Sequence, residues 1–284
     1  MLRAIWPLLL PGVIFVNSAL GGNDNRINFT GEFMQGGLVI GKVTPGSTVR
    51  FQGRKVRVSA LGYFLIGFSR DAKSPAKLDV VYPNGQKLSK SLTVETRTYD
   101  VQRIDGLPPK QVSPSKKDLQ RIQKEQALIN AARKRDDART DFLQTFIWPV
   151  SGRISGIYGS QRILNGEPRR PHAGLDIAAP KGTPVRAPAS GVVSLTHDGM
   201  YFTGGTIILD HGHGLSTMYI HLNKIHVRKG ERVEQGQVIG EVGMTGRATG
   251  PHLHWAMNLF NTKLDPKLLL PEKGEGTANN TTSP

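Results

Sequence analysis

The stretch Pro251-His252-Leu253-His254-Trp255 decides how this chain is read. In a strand, side chains two apart share a face. His252 and His254 then point one way, and Leu253 and Trp255 point the other. Two imidazoles on one strand face can look onto a single metal ion. Far upstream, Pro171-His172-Ala173-Gly174-Leu175-Asp176 adds a third imidazole and a carboxylate. Three protein ligands, with a fourth position left for water, are the ligand chemistry of a catalytic zinc.

Pro171 and Gly174 argue against a helix around His172. Asp176 opens the strand-like run Asp176-Ile177-Ala178-Ala179, and a loop entering a strand can bring His172 and Asp176 to one point. No His-Glu-x-x-His occurs in the sequence, so the helical arrangement of many zinc proteases is excluded. A second His-x-His, His211-Gly212-His213, lies between Asp210 and Gly214. Its glycines mark a hairpin turn, so His211 and His213 are expected to be solvated turn residues and not ligands. A further histidine sits in Met218-Tyr219-Ile220-His221-Leu222. Alternation places Met218, Ile220 and Leu222 on an apolar face, and Tyr219 and His221 on the other. Metal-assisted hydrolysis also needs groups that move protons and stabilise an oxyanion, and imidazole suits both near neutral pH. With His172, Asp176 and one of the paired histidines on the metal, His221 and the other paired histidine remain for that work. Spacing leaves open which of His252 and His254 is the ligand.

The chain has 284 residues, 38% of them hydrophobic, enough for about two domains at ~100–200 residues each. It has no cysteine, which excludes a thiolate zinc site, a cysteine nucleophile and disulfides. Lys+Arg number 37 against 22 Asp+Glu, a net charge of +15. That balance favours an anionic partner: nucleic acid, anionic lipid or an acidic cell-wall polymer. The basic residues are scattered and no nucleic-acid motif accompanies them, so no nucleic-acid partner is expected. At the N-terminus, Arg3 precedes an apolar run from Ala4 to Val16 and the small residues Asn17-Ser18-Ala19-Leu20-Gly21. Residues 1–21 read as a secretory signal, cleaved after Ala19 or Gly21, with a retained membrane anchor as the alternative. The run falls short of the ~20 residues that span a bilayer, and Pro7 and Pro11 interrupt it. A periplasmic or secreted protein without stable membrane insertion is expected.

The fold class expected is mainly β. Residues 24–105 alternate short apolar runs with the turn signals Pro45-Gly46, Gln52-Gly53, Leu61-Gly62 and Asn84-Gly85, which suggests a small sandwich-like module. It contains no histidine and reads as structural or binding. Residues 106–114 form a proline-containing linker. Ser115 can cap a long connecting helix over 115–146, with Leu119, Ile122, Gln126 and Ile129 as a narrow apolar stripe. That stripe suits a helix lying across a surface. It is too short to claim a coiled-coil dimer, so a monomer is expected. Residues 147–270 read as one antiparallel β domain, with strands near 191–195, 206–210, 216–221, 237–242 and 252–257. The polar tail 271–284 is expected to be disordered.

Taken jointly, these motifs resemble the lysostaphin/LytM-type zinc endopeptidases, which cut peptide cross-links in bacterial peptidoglycan. The resemblance covers about Trp148 to Pro266. It rests on His172-x-x-x-Asp176, Tyr219-x-His221-Leu222 and His252-Leu253-His254. It includes Gly191-Val192-Val193, Asp210-His211-Gly212, Gly236-Gln237-Val238-Ile239-Gly240 and Thr245-Gly246-Arg247-Ala248-Thr249-Gly250. It implies a LytM-like peptidase domain holding one zinc ion on His172, Asp176 and His254. It also implies His221 and His252 as catalytic residues that orient water and stabilise the oxyanion, and peptidoglycan stem peptides as the partner. Members differ between glycine bridges and direct D-alanyl–diaminopimelate links. Gly36-Gly37-Leu38-Val39-Ile40-Gly41 and Gln102-Arg103-Ile104-Asp105-Gly106-Leu107-Pro108 look like the β module of secreted Gram-negative-type members, which favours the latter. The linker and helix suggest that residues 24–145 regulate access to the groove.

Two other readings compete. A non-catalytic adaptor, binding wall or activating another wall hydrolase, would not require all five positions, and all five are present. The run Lys229 to Gly240 resembles the hairpin of biotinyl- or lipoyl-carrier domains. Such a carrier displays a lysine at a tight turn, and Gly243-Met244-Thr245-Gly246-Arg247 offers none.

Overall fold

The computed structural model describes residues 26–106 and 115–270. The signal-like segment 1–21, nearly all of the linker and the tail 271–284 lie outside them. No helix among the described residues is long and apolar enough to cross a membrane.

The N-terminal module begins with β1 (Asn28–Gly31), β2 (Leu38–Lys42), β3 (Thr48–Phe51) and β4 (Arg54–Val56). It continues with β5 (Tyr63–Gly67), β6 (Ala76–Val81) and β7 (Lys87–Leu92). They form two antiparallel sheets, β1-β2-β5 and β4-β3-β6-β7. Period-two alternation explains the packing. Val39, Phe64 and Ile66 face the module's own core with Val49, Leu78 and Val80, whereas Leu38 and Leu65 face away and join the core of the C-terminal domain. The first sheet is therefore buried on both faces and locks the two halves of the molecule together. Arg97 Nη1 to Asp265 Oδ2 (2.9 Å) and Arg70 Nε to the Gly159 carbonyl (2.6 Å) add polar ties.

One strand breaks the expected boundary. β8 (Val101–Ile104) leaves the module and pairs in parallel with β10 (Gln161–Leu164), whose other neighbour is β11 (Glu167–Arg169). The sequence reading assigned these residues to the module.

The connecting helix is also shorter than expected, spanning Lys116–Arg133. Ser115 caps it, its side chain accepting from the Asp118 backbone N–H. Ile129 and Ala132 pack on the sheet residues Leu195, Ile208, Met218 and Ile220. Buried Glu125 accepts from Arg121 Nε (2.7 Å) and from the Tyr201 backbone N–H (2.8 Å); Gln126, expected in the stripe, points outward. Beyond Arg133 the charges have better uses than helix. Arg139 reaches Asp141 and Asp210, Arg135 reaches Asp137 and Asp210, and Phe142 and Phe146 enter the core. Burial of the two rings and pairing of the buried Asp210 carboxylate outweigh the small helix propensity of such a segment.

The C-terminal domain is built on an antiparallel sheet. Its strands are β9 (Arg153–Gly156), β12 (Leu175–Ala178), β14 (Gly191–Met200), β15 (Gly204–Asp210) and β16 (Leu215–Leu222), with β18 (Arg232–Val233), β20 (His252–Leu259) and β21 (Thr262–Leu264). The order is β18-β14-β15-β16-β20-β12-β9, with β21 beside β20. A smaller sheet of β13 (Pro184–Arg186), β19 (Val238–Glu241) and β17 (Lys224–Ile225) closes the core over Val185, Ile239, Leu253 and Trp255.

Candidate metal centre

Strand register assembles the site. β12 pairs with β20 so that Asp176 lies opposite His254, and β16 pairs with the other edge of β20 so that Ile220 lies opposite His254. Three neighbouring strands thus deliver Asp176, His254 and His221 to one place, and the loop before β12 delivers His172. Leu253 and Trp255 are fully buried in the core on the other side, as period two requires.

The geometry at the centre is that of converging electron-pair donors. His172 Nε2 lies 3.0 Å from Asp176 Oδ1 and 2.9 Å from His254 Nδ1, and His254 Nδ1 lies 2.6 Å from the same Oδ1. His172 Nδ1 sits 2.9 Å from the Ile157 carbonyl, a contact that is a hydrogen bond only if Nδ1 carries the proton. The Nε2 lone pair is then aimed at the other two atoms. Two imidazoles and a carboxylate, all buried, meet with too few protons between them to satisfy every contact. A cation satisfies all three, and His–His–Asp is a ligand set that zinc accepts. The residues present fit the metal.

Two glycines make room. A Cβ at Gly156, paired with Asp176 across β9 and β12, would collide with the Asp176 carboxylate. One at Gly174 would collide with the Trp255 carbonyl and His254 Nε2. The second carboxylate oxygen is also held: Arg162 Nη2 lies 3.2 Å from Asp176 Oδ2. Burial alone would raise the Asp176 pKa, but the charges and hydrogen bonds of His254 and His172 outweigh it and hold the group well below the usual carboxylate range. Burial pushes His254 down to about 4, against the pull of Asp176.

His221 and His252 stand beside this trio with ring centroids 4.8 Å apart. His221 Nδ1 donates to the Thr245 carbonyl (2.7 Å) and His252 Nδ1 to that of Gly250 (2.8 Å). Each ring therefore keeps Nε2 for the groove, the tautomers being set by these acceptors. His252 Nε2 is 3.9 Å from Asp176 Oδ1. Burial, then the charges of His254 and His252, push His221 down to about 3, so it is neutral at physiological pH. His221 has φ +66°, in the left-handed region that costs an L-residue about 1–2 kcal/mol. That twist breaks the expected alternation. Tyr219 does not share a face with His221; it is buried in the core, its hydroxyl 2.8 Å from Thr217 Oγ1, while Ile220 and His221 both line the groove.

The groove measures ≈ 560 Å³. Its floor is the five residues above, and its walls include Gln102 of β8, Arg162 of β10 and the segment Arg247–Pro251. Gln102 and Arg162 escaped the sequence reading. Gln102 falls only within a β-module motif and Arg162 within none, and their places in the groove follow from the parallel pairing of strands some sixty residues apart.

His211 and His213 stay outside the site, but they are not solvated. Both are buried. His211 bridges the Ser190 carbonyl (2.8 Å) and Thr217 Oγ1 (2.7 Å), and His213 packs on Phe142 at 4.9 Å. The segment 134–146, expected to be helical and instead irregular apart from a short 3-10 turn at Asp141–Leu143, covers them: the His213 N–H donates to the Asp137 carbonyl (2.8 Å).

These features define a class first: a buried His–His–Asp cluster that could hold a metal ion, with two further imidazoles beside it, on an antiparallel β-sheet. Residues 170–266 match the model of Peptidase family M23. A crystal structure of a protein classed as peptidase M23 from Pseudomonas aeruginosa aligns over 84% of this chain and 95% of its own, with TM-score 0.65 and 32% identity. The chain belongs to peptidase family M23. Among curated relatives, it is 43% identical over 113 residues to the peptidoglycan DD-endopeptidase ShyA of Vibrio cholerae, over 39% of this chain and 26% of that one. It is 44% identical over 118 residues to the DD-carboxypeptidase/endopeptidase Mpg of Neisseria meningitidis, over 41% and 27% respectively. The chain thus spans about a quarter of the length of these curated relatives.

Proposed function

We propose that this protein is a zinc-dependent endopeptidase that hydrolyses peptide cross-links of bacterial peptidoglycan, acting as a monomer in the periplasm or elsewhere in the cell envelope. The observation that carries the reading is the convergence of His172 Nε2, Asp176 Oδ1 and His254 Nδ1 beside two inward-facing imidazoles in one open groove. The names of the M23 relatives, peptidoglycan DD-endopeptidase and DD-carboxypeptidase/endopeptidase, support the substrate class.

His172, Asp176 and His254 are assigned to the zinc, which when bound supplies a Lewis acid for the amide carbonyl and acidifies water. Arg162 keeps Asp176 turned toward the two imidazoles by holding Oδ2. His221, neutral and fixed by Thr245, accepts through Nε2 a hydrogen bond from the attacking water and takes its proton. His252, whose Nδ1–H is held by the Gly250 carbonyl, meets the negative charge that develops on the carbonyl oxygen as the imidazolium, donating from Nε2–H, and the proton that His221 took from the water passes to the departing amine. The N-terminal module bears on access, because β8 places Gln102 in the groove wall, its Oε1 3.4 Å from Arg162 Nε.

The test is digestion of purified cross-linked muropeptides by the full-length chain, with mass analysis of products and metal analysis of the protein. Cleavage at the cross-link, abolished by chelation and restored by zinc, is expected. Undiminished cleavage after complete metal removal would falsify the mechanism. The role given to the module predicts different rates for the full chain and for its Gln102→Ala variant; equal rates would remove it.

A further inference from the structure

The connecting helix holds the tip of one hairpin, and that hairpin holds His221. β14 and β15 are joined through the turn Tyr201-Phe202-Thr203, closed by the pairing of Met200 with Gly204. Phe202 and Thr203 line the groove. The Thr203 carbonyl accepts the His221 backbone N–H (2.8 Å). A second loop, residues 244–247, meets this turn. Its Thr245 carbonyl accepts from the His221 ring, and its Thr245 Oγ1 accepts from the Gly205 N–H (2.9 Å). Its Arg247 N–H donates to the Phe202 carbonyl (2.8 Å). Contact is close: a Cβ on Gly204 would strike Thr245, and one on Gly246 would strike the Phe202 carbonyl. The backbone and the ring of His221 are thus anchored on two loops that are joined to each other. His221 needs such anchors. Its φ of +66° is strained for an L-residue, and strain of this kind persists only where the surroundings over-determine it.

The turn is braced from outside by the helix. Arg121, Glu125, Ile129 and Ala132 recur at a spacing that shares one helix face, and Ile129 and Ala132 join the cluster that buries Met200. Glu125 is only 8% exposed. A carboxylate in that place is costly where an aliphatic side chain would fill the same space. Its Oε2 accepts from the Tyr201 backbone N–H (2.8 Å) and its Oε1 from Arg121 Nε (2.7 Å), while Arg121 Nη2 donates to the Gly199 carbonyl. Helix and hairpin are therefore tied at Gly199 and Tyr201, on either side of buried Met200. Hydrogen bonds are directional, so these ties fix where the turn sits, which an aliphatic contact would not.

Resting on the endopeptidase reading above, we propose that Glu125 is a positioning residue for the reaction: through the 201–203 turn it sets the backbone of His221, and with it the direction of Nε2. The relay runs from Glu125 to the Tyr201 N–H, along the turn to the Thr203 carbonyl, and across one hydrogen bond to His221. The helix touches no substrate in this role. A histidine that must take a proton from water in a set geometry loses rate steeply when displaced, up to about a hundredfold for a shift of about 1 Å.

The experiment uses the full-length, zinc-loaded protein carrying isotope-labelled histidine. The Nδ1–H resonance of His221, assigned by its loss in His221→Ala, is followed by NMR beside zinc content and the kcat and KM for a cross-linked muropeptide. Glu125→Ala is expected to keep its zinc, to lower kcat about tenfold to hundredfold with KM within about twofold, and to shift or broaden that resonance as the bond to Thr245 loosens. Glu125→Gln, whose carboxamide oxygen can still accept from the Tyr201 N–H, should recover most of the rate. Lys124→Ala, on the exposed side of the same helix turn, should match the unsubstituted protein. A role confined to stability would lower the urea midpoint of Glu125→Ala and leave kcat and the resonance unchanged, and that result overturns the proposal. Zinc loss from Glu125→Ala, or an equal fall in kcat in Lys124→Ala, overturns it too. If the unsubstituted protein cleaves nothing, the endopeptidase reading falls and the resonance alone decides: displaced in Glu125→Ala but not in Lys124→Ala, it keeps the relay. Cleavage at one kcat by all three keeps the enzyme and removes the relay.

Discussion

The molecule contains two His-x-His sequences, and they do opposite things. His252 and His254 lie within β20, where an extended backbone sends both rings into the groove and the intervening Leu253 into the core. His211 and His213 flank a glycine at a turn where Gly212 and His213 both have positive φ, so their rings diverge. One goes to Ser190 and Thr217, the other to Phe142. Spacing is therefore no guide to ligation. What matters is whether the backbone keeps two side chains parallel, and whether a carboxylate waits opposite. Asp176 waits opposite His254. Asp210 neighbours His211 but is taken up by Arg139 and by the Gly212 N–H.

The comparison breaks most sharply at the metal. His254→Ala is expected to abolish zinc retention and reduce cleavage to background, a loss above about 10³-fold, whereas His211→Ala should keep its zinc. Metal analysis of both proteins decides this, and zinc loss from the His211 variant would reverse the assignment. Next in size is His221→Ala, for which kcat should fall about 10²–10⁴-fold, the usual worth of a general base, with the metal still bound; metal loss there would make His221 a ligand. The turn histidines should show their worth in stability instead. His211→Ala removes a buried ring and strands the Ser190 carbonyl and the Thr217 hydroxyl, so denaturant unfolding should register a loss of about 2–4 kcal/mol.

How the two pairs declare themselves in sequence differs for a physical reason. The β20 pair was legible as two rings on one face because strand periodicity is local, but His172, Asp176 and His221 joined it only as candidates, and the roles of all five came from the family resemblance. The glycine-flanked pair was legible as a turn but not as buried, because its cover comes from residues 134–146. Those residues read locally as helix, and in the fold Arg135 and Arg139 pair instead with a distant Asp210 while Phe142 and Phe146 enter the core. The left-handed twist at His221 was equally hidden, because only tertiary contacts impose it, and so Tyr219 was assigned to the wrong face.

A further effect of similar size concerns pH. Burial holds His211 down at about 4, against about 6.5 in an unfolded chain. Between these values the unfolded state binds the extra proton, so stability falls as pH drops from about 6.5 and the loss is complete below about 4. The full amount is roughly 3 kcal/mol. The midpoint of urea unfolding should fall with pH across that window in the unsubstituted protein and fall less in His211→Gln. Parallel slopes for the two proteins would mean that His211 is not the group responsible.

The parallel pairing of β8 with β10 bears on how this protein can be cut. β8 comes from the N-terminal side of the linker, yet it occupies one hydrogen-bonding edge of β10, while β11 occupies the other. A chain trimmed to residues 147–270 looks like a clean domain on paper. It would carry β10 with a row of backbone donors and acceptors uncovered, and an open edge of that kind recruits other strands. Such a fragment is expected to self-associate at concentrations where the full chain does not, a difference that sedimentation velocity would read.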